Sequence, residues 1–143
     1  MPNTKRRLNL FLCHAHSDRE TVHALYRRLV DNEVHAWLDS ENLQPGQNWQ
    51  HEIRRAILNS DVILVCLSQK FNAQQGYRHE EVKLALEKAN LLEDGEIFII
   101  PIRLEKCEMP ESLSHLHRVD LFEPTGFKKL LRALKRLEDS DQK

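Results

Sequence analysis

Asp61-Val-Ile-Leu-Val-Cys-Leu-Ser68 is a continuous apolar run closed at each end by a polar residue. It has the length of a strand and no polar alternation, so it predicts a strand covered on both faces, as in a parallel sheet. Similar runs lie on either side. Leu8-Asn-Leu-Phe-Leu-Cys13 reads as a first strand, Val34–Leu38 as a second, and Glu96-Ile-Phe-Ile-Ile-Pro-Ile-Arg-Leu104 as a fourth. Pro101 cannot donate a ladder hydrogen bond, which places the fourth strand near an edge or bulges it there. Arg118–Phe122 suits a short fifth strand.

Helical signals fill the intervals. Ser17-Asp-Arg-Glu20 fits a capping box, and Val22, Leu25, Tyr26 and Leu29 recur at helical spacing, predicting a helix from about Asp18 to Asp31. Trp49, Ile53, Ala56 and Ile57 mark a second helix with Asn48 as its cap. An irregular polar stretch, Gln69 to Tyr77, precedes a helix through Glu80–Ala89. Glu105 to Ser114 is turn-rich. Phe127, Leu130, Leu131, Leu134 and Leu137 give a last amphipathic helix, and Glu138–Lys143 is a polar, frayed tail or a linker to a further domain. Alternation of strand and helix predicts a doubly wound α/β sandwich with a mostly parallel sheet.

Composition narrows the classes of function. The 143 residues suffice for one domain with its own core, and 41% apolar against 30% charged residues describes a globular chain. A net charge of −1, from 21 basic and 22 acidic residues, offers no attraction to nucleic acid or a membrane surface. No apolar run approaches the roughly 18 residues of a membrane span. Lys5-Arg6-Arg7 lies in a basic tail over residues 1–7, expected to be solvated. Cys13, Cys66 and Cys107 are odd in number and two sit in strand-like runs, so no disulfide framework is expected and the chain is placed in a reducing cytoplasm.

In open parallel sheets ligands bind beyond the carboxyl ends of the strands, where the strand order switches. That rule gathers Cys13-His14-Ala15-His16, the loop from Trp37 to Trp49, and Ser68–Glu81 onto one rim. The loop is long and polar, with Pro45-Gly46 suited to a turn, and long loops between compact elements tend to carry function.

With four glycines in the chain, no dinucleotide or phosphate-loop fingerprint is present. The alternating pairs His14/His16 and His115/His117 lack the cysteine and carboxylate company of a metal site, and no metal or resident cofactor is expected. No serine sits in a nucleophile elbow. Carboxylates remain: Asp39, Glu41, Glu80 and Glu81. The last two open a helix, where capping and solubility account for any acid. Their wheel positions differ. With an apolar stripe of Val82, Ala85, Leu86 and Ala89 at about 100° per residue, Glu80 lies opposite the stripe and Glu81 at its margin. Glu81 can therefore lean toward the rim, with Tyr77 one turn before it.

These residues resemble the Toll/interleukin-1 receptor (TIR) domains, particularly the bacterial-type, NAD-cleaving ones, over Leu8 to Leu137. Phe11-Leu-Cys-His14 with Asp18 is similar to their first-strand box. Trp37-Leu-Asp-Ser-Glu-Asn-Leu-Gln-Pro-Gly46 is similar to the second-strand end and the BB loop. Asp61–Ser68 and Phe98-Ile-Ile-Pro-Ile-Arg103 resemble the third and fourth strands. The resemblance implies a flavodoxin-like doubly wound sandwich with a central, mostly parallel five-stranded sheet. It also implies cleavage of NAD⁺ at the nicotinamide–ribose bond, because Tyr77-Arg-His-Glu-Glu81 fits the family's W-x-x-x-E frame with Tyr for Trp. On that resemblance Glu81 is the catalytic residue, and His14, Ala15, Trp37, Asp39, Glu41 and Tyr77 line the substrate site. Leu43, Pro45 and Gly46 form a lid and assembly surface. The partners implied are NAD⁺ as substrate and other TIR domains, in self-association during immune or defence signalling. Cys13-His14 replaces a frequent Ser-Tyr or Ser-His, and Ala15-His16 stand where some members carry arginines. A non-enzymatic TIR interaction module is the alternative that the same residues allow. A phospho-receiver of similar topology would need an aspartate ending the third strand, where this chain has Ser68.

Overall fold

A computed structural model describes residues 8–38, 44–73, 77–89, 91 and 98–140, leaving the side chains of Trp49, residues 77–80 and Ser140 undescribed. Strands β1 (Asn9–Cys13), β2 (His35–Trp37), β3 (Val62–Leu67), β4 (Ile99–Arg103) and β5 (Val119–Asp120) form one sheet in the order β2-β1-β3-β4-β5. Every neighbouring pair is parallel. This is the flavodoxin-like doubly wound order, and all six positions of β3 are buried, as its apolar run requires.

Among the described residues five α-helices flank the sheet: α1 (Arg19–Asp31), α2 (Trp49–Asn59), α3 (Gln69–Ala73), α4 (Tyr77–Ala89) and α5 (Gly126–Ser140). Side chains alternate across a strand, so each strand feeds two cores. Leu10 and Leu12 of β1 join Val22, Leu25 and Leu29 of α1 and Phe127, Leu130 and Leu134 of α5. Phe11 and Cys13 join Ile53 and Ile57 of α2, Phe71 of α3, and Val82 and Ala85 of α4 on the other face. Each fully buried side chain of this size contributes roughly 1.5–3 kcal/mol.

Three local expectations change, and the near-edge place of Pro101 is made specific. The Ser17–Glu20 capping box does not sit at the start of α1: His16–Asp18 form a 3₁₀ turn, and Asp18 is the N-cap without a side-chain capping bond. Gln69–Ala73, expected to be irregular, is the short helix α3, whose first turn is closed by Ser68 Oγ accepting from Phe71 N at 3.0 Å. Pro101 lies in β4, one strand in from the edge, opposite Val65 of β3. Phe98 O and Leu104 N both bond toward β3 while Arg103 O faces β5, so alternation turns Pro101 N toward β5. Pairing with β5 begins only at Ile102, so the missing donor falls where no ladder bond is due. The helical pattern continues past Leu137, and α5 runs to Ser140. Asn48 does cap α2, accepting from His51 N at 3.1 Å.

Three contacts matter for α4. Lys88 Nζ donates to Leu58 O at 2.5 Å and Ser60 O at 2.8 Å, satisfying carbonyls at the end of α2. It also lies 4.7 Å from the Phe98 ring centroid. Burial lowers the Lys88 pKa, and Asp61 opposes that shift. Near the far edge, Arg103 grips Asp120 through two bonds of 2.7 and 2.9 Å. No helix among the described residues is long and apolar enough to cross a membrane.

Candidate active site

The strand order switches between β1 and β3, and the residues leaving their carboxyl ends form the rim. The first is tied to the second: Ser68 Oγ, just beyond β3, donates to the Asp18 carboxylate in the turn after β1. Helix α4 brings Glu81 to the end of β1. There the Cys13 Sγ donates to Glu81 Oε1 at 3.3 Å. Glu81 is only 5% exposed, as buried as the apolar Val82 beside it at 8%. The wheel put Glu81 at the margin of the stripe. The buried face extends one residue further because β1 ends against it.

The other expected site residues divide. His14 and Ala15 are buried at the end of β1, and His14 Nδ1 donates to Ala15 O at 2.8 Å. Ala15 continues the Phe11–Cys13 row, so it shares the Glu81 face of the sheet, and His14 falls on the alternate row. Trp37, partly buried, stacks on Phe11 with centroids 5.1 Å apart and planes 13° from parallel. β1 thus links the two: Phe11 lies beside Trp37, and Cys13, two residues on and roughly 7 Å along the strand, meets Glu81. Tyr77 opens α4 one turn before Glu81. Its side chain and that of Glu80 are outside the description, as are Asp39, Glu41 and Leu43. Pro45 and Gly46 occupy an exposed turn in which Gln47 N donates to Gln44 O at 3.1 Å. Gly46 has φ +91°, as the third residue of a type II turn requires, with Pro45 before it.

Residues 10–134 match the sequence model of the family described as "TIR domain". The chain belongs to that family. Protein y4cD of Sinorhizobium fredii (strain NBRC 101917 / NGR234) is 26% identical over 133 residues, covering 82% of this chain and 21% of y4cD. The chain thus spans about a fifth of that relative. Among solved structures, the TIR domain of the Toll-related receptor TRR-2 from Hydra magnipapillata superposes with a TM-score of 0.73 at 24% identity, over 88% of this chain and 97% of that one. The TIR domains of the activated Roq1 resistosome, which directly recognises the pathogen effector XopQ, give 0.59 at 23% identity, over 68% and 58%. A prokaryotic SEFIR domain gives 0.58 at 16% identity, over 92% of each chain. At these identities the structures speak to the fold.

Within this TIR domain, no three histidine, cysteine or acidic residues converge as metal ligands among the described residues. Burial, with the Asp18 charge adding to it, pushes the Cys66 thiol up to about 12, so that group is no nucleophile near neutral pH. Cys13 was gathered onto the rim with its neighbours, but its contact with Glu81 was not foreseen. The available signal was its place at the end of β1 in the same alternate row as Phe11. A groove of about 260 Å³ lies where β1 and β2 meet α2, lined by Asn9, His35, Trp37, Glu52 and Arg55 among others, and does not include Glu81.

Proposed function

We propose that this TIR domain cleaves NAD⁺ at the nicotinamide–ribose bond, with Glu81 as the catalytic carboxylate. The observation that carries the reading is Glu81 itself. It completes the Tyr77-x-x-x-Glu81 frame, and α4 holds it against the carboxyl end of β1. A carboxylate buried at a sheet switch point is in a setting where charge acts strongly. In the proposed step the bond from C1′ to the nicotinamide nitrogen breaks and its electron pair leaves with neutral nicotinamide. The ribose becomes oxocarbenium-like, and Glu81 stabilises that positive charge. Water adding at C1′ and losing a proton gives ADP-ribose; addition of an internal nucleophile gives a cyclic product. At 5% exposure Glu81 is reached by ribose only after the rim opens, which fits a domain activated by self-association in defence signalling. Trp37 and Ala15 supply a flat and a small surface along the approach.

The same burial favours a second reading. A carboxylate sealed beneath the surface also suits a structural role, while an exposed turn at residues 44–47 suits contact with another TIR domain. Nicotinamide release from NAD⁺ by concentrated or clustered protein separates the two. The enzyme reading expects release by the native chain, a fall of at least about a hundredfold in Glu81→Gln, and little change in Glu80→Gln. An inert native chain, or full activity in Glu81→Gln, overturns it.

A further inference from the structure

A carboxylate that stabilises developing charge is effective when it is fixed in place beforehand. Glu81 rides on a helix, and Cys13 at the end of β1 reaches it from the sheet. Cys13 Sγ lies 3.3 Å from Glu81 Oε1, across 68 positions of sequence, with the two residues 1% and 5% exposed. An ionised carboxylate only accepts, so the thiol donates. We propose that Cys13 is a positioning residue that holds Glu81 by a thiol–carboxylate hydrogen bond and sets the orientation in which the carboxylate meets the ribose. The inference rests on the NAD⁺-cleaving reading of Glu81.

The placement of Cys13 suits that task. It is the last residue of β1 and pairs with Val65 of β3, so its backbone is held by the two central strands of the order. Its row, Phe11–Cys13–Ala15, faces the helices on the α4 side. Sγ therefore projects at Glu81 from an interior strand of the sheet. The thiol is a weak donor, so it orients the carboxylate while drawing little of its negative charge. That charge stays available to the ribose. The second buried thiol provides a contrast. Cys66 lies on the other face, among Leu64, Ile100 and Ile102, with only a long 3.9 Å contact to Leu64 O.

Steady-state NAD⁺ cleavage by the native chain, Cys13→Ala, Cys13→Ser and Cys66→Ala tests this. A hydrogen bond to a charged group, taken at the low end for a thiol, corresponds to a fall in kcat of about five- to tenfold in Cys13→Ala. KM should stay within about twofold, because orientation acts on the chemical step. Cys13→Ser, which keeps a donor in nearly the same place, should restore kcat, and Cys66→Ala should leave it unchanged. Infrared spectra give a readout that needs no turnover: the Cys13 S–H stretch, assigned by its disappearance in Cys13→Ser, should lie below that of a free thiol and rise in Glu81→Gln. Native kcat in Cys13→Ala, failure of serine to rescue, an equal loss in Cys66→Ala, or a free-thiol S–H band each overturns the positioning role. If Cys13→Ala does not fold, the S–H band and the serine variant decide. A native chain that releases no nicotinamide overturns the functional reading together with this inference. Cleavage that is indifferent to Cys13 overturns this inference alone.

Discussion

Replacing Gly126 by alanine inverts an ordinary rule of helix stability. Gly126 opens α5, where alanine would normally be favoured by up to about 1 kcal/mol. Here a Cβ would stand 2.2 Å from Asp120 O, 2.9 Å from Leu121 Cα and 3.0 Å from Asp120 C. Ordinary contact begins at 3.4 Å, so the start of α5 and the end of β5 must part by more than an ångström. All three obstacles are backbone, and no rotamer change relieves them. Leu121 N, which donates to Arg103 O at 3.0 Å, lies in the path of that movement, as does Asp120 with its grip on Arg103. Overpacking costs about 1–3 kcal/mol and a weakened hydrogen bond about 1 more, so a net loss of roughly 1–3 kcal/mol remains after the helix preference. For a domain of this size that lowers Tm by about 4–12 °C in thermal unfolding followed by circular dichroism. Gly46→Ala is the matched control. Its Cβ meets nothing within 4 Å, and only φ +91° opposes it, so a loss of about 1 kcal/mol is expected. A Gly126→Ala protein as stable as the native chain, or less affected than Gly46→Ala, would refute the clash.

Two further outcomes follow from single residues. Asp120 is held down to about 2 from 3.8, first by its hydrogen bonds from Arg103 and then, against some desolvation, by Arg118. Its stabilisation is therefore complete above pH 4 and fades as the pH falls through 2. With the side chain 15% exposed, Asp120→Asn should lower stability by about 1–2 kcal/mol near neutral pH, after allowance for screening. Urea midpoints of the two proteins should draw together as the pH falls from 4 through 2 and converge only below it, and an unchanging gap would contradict the assignment. Glu33 carries φ +64° just past α1, with Glu33 N on Val30 O at 3.0 Å and Val34 N on Leu29 O at 2.9 Å, the paired bonds of a Schellman motif. Glycine is at ease there, so Glu33→Gly should raise the urea midpoint by the equivalent of about 0.5–1 kcal/mol, and a lower midpoint would show that the Glu33 side chain matters more than its backbone.

The parallel sheet was legible because buried parallel strands leave a simple mark, an unbroken apolar run. Asp61–Ser68 displays that mark, and β3 is buried at every position. Features set by a distant partner left none. Ser68 reads as the polar end of a strand until its hydroxyl is seen to cap α3 and bond Asp18, fifty positions away in sequence. The Ser17–Glu20 pattern fails for a related reason, since the 3₁₀ turn that brings Asp18 to Ser68 moves the start of α1 past the serine. Pro101 was read by a rule that treats a strand as uniform along its length. β5 pairs with only Ile102 and Arg103, so β4 has an open side at Pro101 although it is not the last strand.

Glu81 shows where such reading is both strongest and weakest. The periodicity of α4 separates Glu81 from Glu80 without any structure, because a helix has one apolar stripe and only one of two successive residues can border it. Depth is another matter. A wheel describes a helix alone, and whether a marginal position is wet or buried depends on how far the neighbouring element extends. Here β1 runs to Cys13, and its last side chain on that face meets the carboxylate. A strand one residue shorter would leave the same glutamate without this partner at the rim. The reach of β1, which no pattern within α4 encodes, is what turns a helix-margin acid into a buried, held carboxylate.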